Sequence, residues 1–387
     1  MVGKHTINDI ARLAGVSKAT VSRVLNHKPD VDPATRERIL RIMEEQGFVP
    51  SITASGLASG RSRLIGVLVA SFTWPLIPDI IHGVAEVVER SSYELVLYSI
   101  NDSSRESDKW EMIDHILATK LTSGLLAIMP GQSSRHIARL HSYGFPVVIV
   151  DDEDPPASAP WVGVDNRGGA YAAVRHLLRL GHRRIAHIQG PMRRHCSRER
   201  YQGYLQALEE EGIALDPALV VEGEFTTASG RAAACKLFSL PKEQRPTAIF
   251  AGNDGTAYGV LAAAEEHGLR VPGDIALVGF DDVATSAHVR PALTTVRQPF
   301  YEMGQLGAEL LLSMLDNTLY VPEQYLSPEQ RSQLSRAALV SSSSERAAAR
   351  NGNACNHVEP VHIQLATSLV VRASCGSPHR LTVSPAG

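Results

Sequence analysis

From Leu64 onward the chain alternates short, wholly apolar runs with amphipathic stretches, and few chain folds satisfy that pattern. LIGVLVA (64–70), YELVLYS (93–99), SGLLAIM (123–129) and PVVIVDD (146–152) read as strands. Helical periodicity fills the gaps at 78–91, 106–120 and 133–143. A second series follows, with strands RRIAHIQG (183–190), TAIFAGND (247–254) and DIALVGFDD (274–282) and helices at 167–180, 198–211, 229–239 and 255–267. Strands apolar on both faces need cover on both faces, which predicts parallel sheets between helical layers. Two such series predict two doubly wound lobes. TTVRQP (294–299) and a helix at 301–315 read as a crossing back to the first lobe. At 387 residues the chain is long enough for these lobes and a small N-terminal module.

In open sheets of this kind ligands bind beyond the carboxyl ends of strands, and a cleft between two lobes is the natural place. Polar residues gather there. Asp151 and Asp152 end the fourth run, Asn253 and Asp254 end TAIFAGND, and Asp281 and Asp282 end LVGFDD. Arg194 and Arg200 follow RRIAHIQG, Trp74, Leu76 and Ile77 follow the first strand, and Phe225 follows LVVEGE. Carboxylates and an amide can bridge adjacent hydroxyls, and an aromatic face covers the apolar side of a ring, so the set suits a neutral polyol. Asp281, Asn253 and Arg200 are assigned to ligand contact. For Asp254 and Asp282, capping of the following helix is an equal reading.

The N-terminus has a different design. In HTINDIARLAGVSKATVSRVLN (5–26), Thr6 and Asp9 form a capping box for a helix with Ile7, Ile10, Ala11 and Ala14 on one face. Gly15 supplies a tight turn and Ser17 caps a second helix, whose Val21, Val24 and Leu25 pack back. Lys18, Ala19, Ser22 and Arg23 are left facing outward, where a recognition helix meets base edges and phosphates. Asp32-Pro33 opens a third helix through Ile39, Leu40 and Met43 that stops at Gly47. Residues 1–63 hold 10 Lys and Arg against 6 Asp and Glu, a net +4, while the whole chain is at −3. A basic module on an acidic body places the phosphate-facing surface on the module.

Several classes are disfavoured. No apolar run approaches the roughly 20 residues of a membrane span, and no apolar signal core opens the chain, so a cytoplasmic protein is expected, at the nucleoid when on DNA. Cys196, Cys235, Cys355 and Cys375 lack metal-ligand spacing and read as reduced thiols. His182 and His187 are oddly spaced on an expected strand, which would put their rings on opposite faces, so no metal site is assigned. Asp151, Asp281 and Asp282 could serve acid–base chemistry, but no nucleophile elbow, P-loop or Gly-rich dinucleotide loop accompanies them, so no catalytic residue and no cofactor is assigned.

Together these segments resemble the LacI/GalR family of bacterial transcription regulators. TINDIARLAGVSKATVSRVLN, VDPATRERI, GFVPSITASGLASGRSRLIGVLV, VGVDNRGGAYAAVRHLLRLGHRRIAHIQG, RYQGYLQAL, FAGNDGTAYGVL, GFDDVATSAHVRPALTTVRQP and LATSLVVRAS carry the resemblance, over 5–315 and again over 361–376. It implies an all-α helix-turn-helix headpiece (1–49), a hinge helix or linker (50–63) and an α/β two-lobed core resembling periplasmic sugar-binding proteins. The first lobe would take 64–162 plus 298–315, the second 163–297 plus a C-terminal strand. The implied partners are double-stranded operator DNA, a small-molecule effector, most simply a carbohydrate, and a second copy of the chain as a homodimer, with a tetramer open. A purine- or nucleoside-responsive regulator is the alternative, and a sugar-binding protein with no DNA role a more distant one.

By the resemblance, Lys18, Ala19 and Arg23 fall at base-reading positions and Ser17, Thr20 and Ser22 near phosphate, with Thr6 and Asn26 completing the DNA-facing set. Leu57 matches a leucine that wedges into the minor groove. Ser51, Ser55 and Gly56 depart from the family's Asn, Arg and Ser, which predicts a hinge helix that forms only on DNA. Arg200, Asn253 and Asp281 match effector contacts, as do the positions of Asp151, Arg194, Cys196 and Phe225. Trp74-Pro75-Leu76-Ile77 replaces Asn-Pro-Phe-Phe, moving the aromatic surface by two residues. Residues 316–360 break the pattern. Their Ser, Ala, Arg, Gln and Glu content and four-serine run predict a mostly disordered insertion, with a helix start at Ser327-Pro328-Glu329 and no coiled-coil heptads. Residues 377–387 form a tail.

Overall fold

The computed structural model describes residues 6–25, 28–48, 62–99, 119, 121–129, 134–151, 159–316 and 361–376. The expected helix at 106–120 apart from residue 119, the hinge at 51–58, nearly all of the 316–360 insertion and the tail lie outside these residues. Contacts divide the chain into two compact units at Arg63/Leu64, with residues 119–122 grouped with the first.

The first unit contains α1 (Ile7–Ala14), α2 (Lys18–Leu25) and α3 (Pro33–Glu45). The Thr6 capping box is present, its backbone N–H donating to Asp9 Oδ2 at 2.9 Å. Gly15 takes φ +63, the left-handed turn that ends α1 at little steric cost for glycine. Ile10, Ala11 and Ala14 meet Val21, Val24, Ile39 and Met43 in one small core. Leu40, expected on that face, is 49% exposed, because it follows Ile39 by 100° around the helix.

The second unit holds two six-stranded sheets. The first contains β1 (Leu64–Val69), β2 (Glu94–Ser99), β3 (Gly124–Ile128), β4 (Val147–Val150), β5 (Trp161–Val164) and β11 (His362–Leu365), in the order β2-β1-β3-β4-β5-β11. The second contains β6 (Ile185–Ile188), β7 (Val220–Val221), β8 (Ala248–Ala251), β9 (Ala276–Asp281), β10 (Thr294–Arg297) and β12 (Ser368–Val370), in the order β7-β6-β8-β9-β10-β12. Pairing is parallel except between β10 and β12. Burying both faces of the central strands explains why they lack polar alternation.

The helices around the first sheet are α4 (Ile77–Glu89), α5 (Ser134–Ser142) and α10 (Phe300–Leu315); around the second, α6 (Asn166–Arg179), α7 (His195–Glu210), α8 (Thr227–Phe238) and α9 (Asp254–Glu266). Helices α4 and α10 cross through reciprocal glycines. A Cβ on Gly83 would sit 2.0 Å from the Tyr301 carbonyl oxygen, and one on Gly304 2.0 Å from that of Ile80.

Two of the three lobe boundaries differ from expectation. β5 lies wholly in the first sheet, so the chain crosses at Asp165 rather than after residue 162. Residues 294–297 remain in the second sheet, and the return to the first lobe is made by Gln298 and Pro299 ahead of α10. The C-terminal run is not a single strand of the second lobe: β11 pairs with β5 and β12 with β10. A continuous β-branched run reveals that it is extended but not which sheet each half joins. Two of the crossings are tied, since the Asp165 N–H donates to the Leu365 carbonyl at 2.9 Å.

Candidate functional site

Both sheets place their switch point between the first strand of the lobe and the third, and both direct their carboxyl ends at one cleft of about 440 Å³. From the first lobe come Trp74, Pro75 and Leu76 after β1, Met129 after β3 and Asp151 after β4. From the second come Arg194, Cys196 and Arg200 on and before α7, Phe225 after β7, Asn253 after β8 and Asp281 at the end of β9. Nine of the ten expected cleft residues therefore meet. Ile77 does not: it is 1% exposed and packs in the first-lobe core, because as the first residue of α4 it turns inward.

Arg200 is 4% exposed. Its Nε donates to Asn166 Oδ1 at 2.9 Å and its Nη1 to the Gly252 carbonyl at 2.7 Å, with Asp281 Oδ1 3.6 Å from Nη1. Its guanidinium carbon lies 3.7 Å from the Phe280 ring centroid, a desolvated cation–π contact. Asp281 also accepts from Gln298 Nε2 at 2.7 Å. Burial pushes the Asp281 carboxyl up from its ordinary range; Arg200 and Gln298 oppose this and the Asp151 charge adds to it. Burial likewise raises the Cys196 thiol, against the pull of Arg200, so it stays a neutral thiol.

Asn253 is partly committed to structure. Its Oδ1 caps α9 by accepting from the Thr256 N–H at 2.8 Å, and its Nδ2 donates to the Phe225 carbonyl at 3.2 Å. Asp254 lines the cleft but is not a cap, since Asn253 holds that position. Fully buried, it accepts from the Val283 N–H at 3.1 Å and from the Ser286 and Thr295 hydroxyls, each at 2.5 Å. Burial and the Asp281 charge raise its pKa. Asp282 is not a cap either: it pairs with Arg297 at 2.6 Å and Arg372 at 2.7 Å, holding β10 and the C-terminal segment together.

Met129, Asp151, Phe225, Asp281 and Asp282 take positive φ, and among the described residues no other non-glycine does. Four of the five line the cleft. Such backbone costs roughly 1–3 kcal/mol per residue and gathers where a fold holds side chains for a ligand. Phe225 is further set by Gly190, where a Cβ would come 2.1 Å from the phenyl ring. Sequence reading missed Met129, Glu224, Tyr258 and Gln298 in the lining. Met and Gln carry no positional signal, but the strand-end rule points at Met129 and at the crossing residue Gln298. The metal-free expectation for the histidines rested on a shared strand, and only His187 is on one. It stacks on Phe250 and Tyr204, while His182 precedes β6 and bonds Thr247 Oγ1 at 3.0 Å.

In the first unit Lys18, Ala19 and Arg23 are exposed along α2. Ser17 Oγ accepts from the Thr20 N–H at 3.1 Å, capping α2, and lies 2.9 Å from the Thr20 hydroxyl. Thr6 and Ser22 belong to the same described unit, Thr6 with its hydroxyl on Asp9. Arg23 pairs with Asp30 at 3.4 Å, but the two side chains are 61% and 54% exposed, so the pair is weak and easily exchanged for another anion. Asn26 and Leu57 lie outside the described residues. No helix among the described residues is long and apolar enough to cross a membrane.

Residues 6–51 match the model of the bacterial regulatory proteins, lacI family, and residues 174–332 that of the periplasmic binding protein-like domain. Catabolite control protein A of Priestia megaterium is 33% identical over 312 residues, 80% of this chain and 92% of that protein. The HTH-type transcriptional repressor PurR of Proteus mirabilis is 35% identical over 314 residues, 81% and 91% of the two chains. The Lac repressor dimer bound to operator and the anti-inducer ONPF superimposes with a TM-score of 0.77 at 26% identity, covering 96% of this chain and 99% of that one. A complex of the transcriptional regulator CelR with cellobiose gives 0.64 at 30% identity over 96% and 99%. With its helix-turn-helix and two-lobed core both matched in order, the chain belongs to the lacI family of DNA-binding transcriptional repressors.

Proposed function

We propose that the chain represses transcription as a homodimer on a roughly palindromic operator, and that a carbohydrate or sugar derivative in the cleft sets its operator affinity. The observation that carries the ligand class is Arg200 and Asp281, buried and paired at 3.6 Å on rigid strand and helix ends, with Phe225 fixed beside them. A paired guanidinium and carboxylate offer donors and acceptors at hydroxyl spacing, and the phenyl ring covers a C–H face. The cellobiose complex among the structural neighbours supports the same class. A purine ligand is the second reading, favoured by the 35% identity to PurR. The cleft residues hold no resident cofactor or metal in this reading, and the ligand is released unchanged.

The ligand acts only through its differential affinity for two arrangements of the lobes. On DNA, α2 would enter the major groove, with Lys18, Ala19 and Arg23 toward bases, Ser17, Thr20 and Ser22 toward phosphate, Thr6 and Asn26 at its flanks, and Leu57 at the operator centre. A thermal-shift panel of mono- and disaccharides, sugar phosphates, polyols, nucleosides and purine bases tests the ligand class. A ligand at about 100 times its dissociation constant adds about 2.7 kcal/mol to stability. A response confined to purines would replace the carbohydrate reading. For the DNA face, Arg23→Ala should lower discrimination at one base pair by about 1–3 kcal/mol. A uniform loss on all sequences would instead place Arg23 on phosphate.

A further inference from the structure

Trp74 and Arg194 belong to different lobes and meet across the cleft. Trp74 follows β1 and leans on the first-lobe core. Arg194 stands at the N-cap position of α7, where its side chain makes no capping bond. Its guanidinium carbon lies 5.2 Å from the indole centroid, within cation–π range, and both side chains are half-buried in the cleft lining. The indole packs against the first-lobe core and also carries the guanidinium, so a ring stacking on it from the cleft has to displace that contact. We infer that Arg194 and a ligand ring compete for the Trp74 face, so that this pair of residues determines which ligands the cleft accepts. A ring with a flat C–H or π face can replace the guanidinium; an acyclic polyol, with no such face, cannot.

The inference rests on the reading of the cleft as the effector site but is narrower, since it assigns the selecting element. It gives Arg194 a role opposite to that of a simple ligand donor: its loss strengthens ring binding. Arg200 and Asp281, deeper in the second lobe, would bind either kind of ligand.

The test uses the full chain, Trp74→Leu, Arg194→Met and the double variant. Thermal midpoints of the four proteins form a double-mutant cycle. The two single changes should be clearly non-additive; additive midpoints overturn the inference whatever the probes do. Cellobiose, adenine and sorbitol then serve as probes. A ring probe should bind about threefold tighter to Arg194→Met, in keeping with loss of a half-buried cation–π competitor, and should lose its effect on Trp74→Leu. Weaker ring binding by Arg194→Met would make Arg194 a ligand contact and overturn the competition. A response to sorbitol alone overturns the inference but keeps a polyol-binding cleft. A response to adenine alone keeps the inference and overturns the saccharide reading. Silence of all three probes overturns the inference, while the saccharide reading is decided by the wider sugar panel.

Discussion

The two lobes share one strand order yet supply the cleft unequally. From the first come Trp74, Pro75, Leu76, Met129 and one carboxylate, Asp151; from the second come the arginines, Asp281, Asn253, Phe225 and Cys196. The difference is one of burial chemistry. In the second lobe Arg200 is held between two aromatic rings and paired with Asp281, so its charge is already desolvated and oriented. In the first lobe the lining is mostly apolar, and its helices α4 and α10 cross by backbone-to-backbone approach at Gly83 and Gly304. The second lobe thus supplies most of the polar groups of the cleft, and the first supplies a mostly apolar wall with Trp74 and Asp151.

Breaking the second lobe's polar cluster should have the largest effect. Arg200→Met leaves Asn166 Oδ1 and the Gly252 carbonyl without the Arg200 donors and the buried Asp281 carboxylate without its cationic partner. A loss of about 3–5 kcal/mol in denaturant unfolding is expected. A loss below 1 kcal/mol would show that the cluster relaxes freely.

Next is the pH response of the second lobe. His187 is 1% exposed, stacked on Phe250 and Tyr204, with Nδ1 3.0 Å from the Phe250 carbonyl. Burial lowers its pKa from 6.5 to about 4. A group whose folded pKa is depressed contributes full stability above its unfolded pKa and loses it as pH falls. The loss runs from pH 6.5 to 4 and reaches about 3 kcal/mol. Asp254 and Asp281, raised by burial, act in the opposite direction over much of the same range, gaining stability on acidification. The difference between wild type and His187→Phe isolates the histidine: the two should diverge below pH 6.5, with the variant favoured. Parallel curves would mean that His187 titrates normally.

The smallest effect belongs to the first lobe. Gly83→Ala places a methyl against the Tyr301 carbonyl and should cost about 1–3 kcal/mol. If sugar affinity is measured alongside, it should change little, since Gly83 lies at the α4–α10 crossing and not in the cleft lining. A selective loss of affinity would erase the distinction between the lobes.

Much of this was readable from residue patterns. Strand ends are legible because an apolar run must stop somewhere, and Asp151, Asn253 and Asp281 mark where. Capping residues such as Thr6 and Asp32 act locally, so their roles survive without tertiary knowledge. Pairing partners do not. β7 is only two residues long, and nothing local says that Asp254 would be occupied by Ser286 and Thr295, or Asp282 by Arg297 and Arg372. Positive φ at Phe225 and Asp281 leaves no trace in residue type, because it is imposed by surrounding packing rather than by glycine. Ile77 was misplaced because one helical position separates a cleft wall from a core.

The most direct test of the central claim is the operator affinity of wild type and Asp281→Ala, measured by fluorescence anisotropy with and without the sugar giving the largest thermal shift. Both proteins should bind operator equally without sugar, and only the wild type should change its affinity when sugar is added. An Asp281→Ala protein that still responds as wild type does, or one that loses operator binding outright, would contradict the claim.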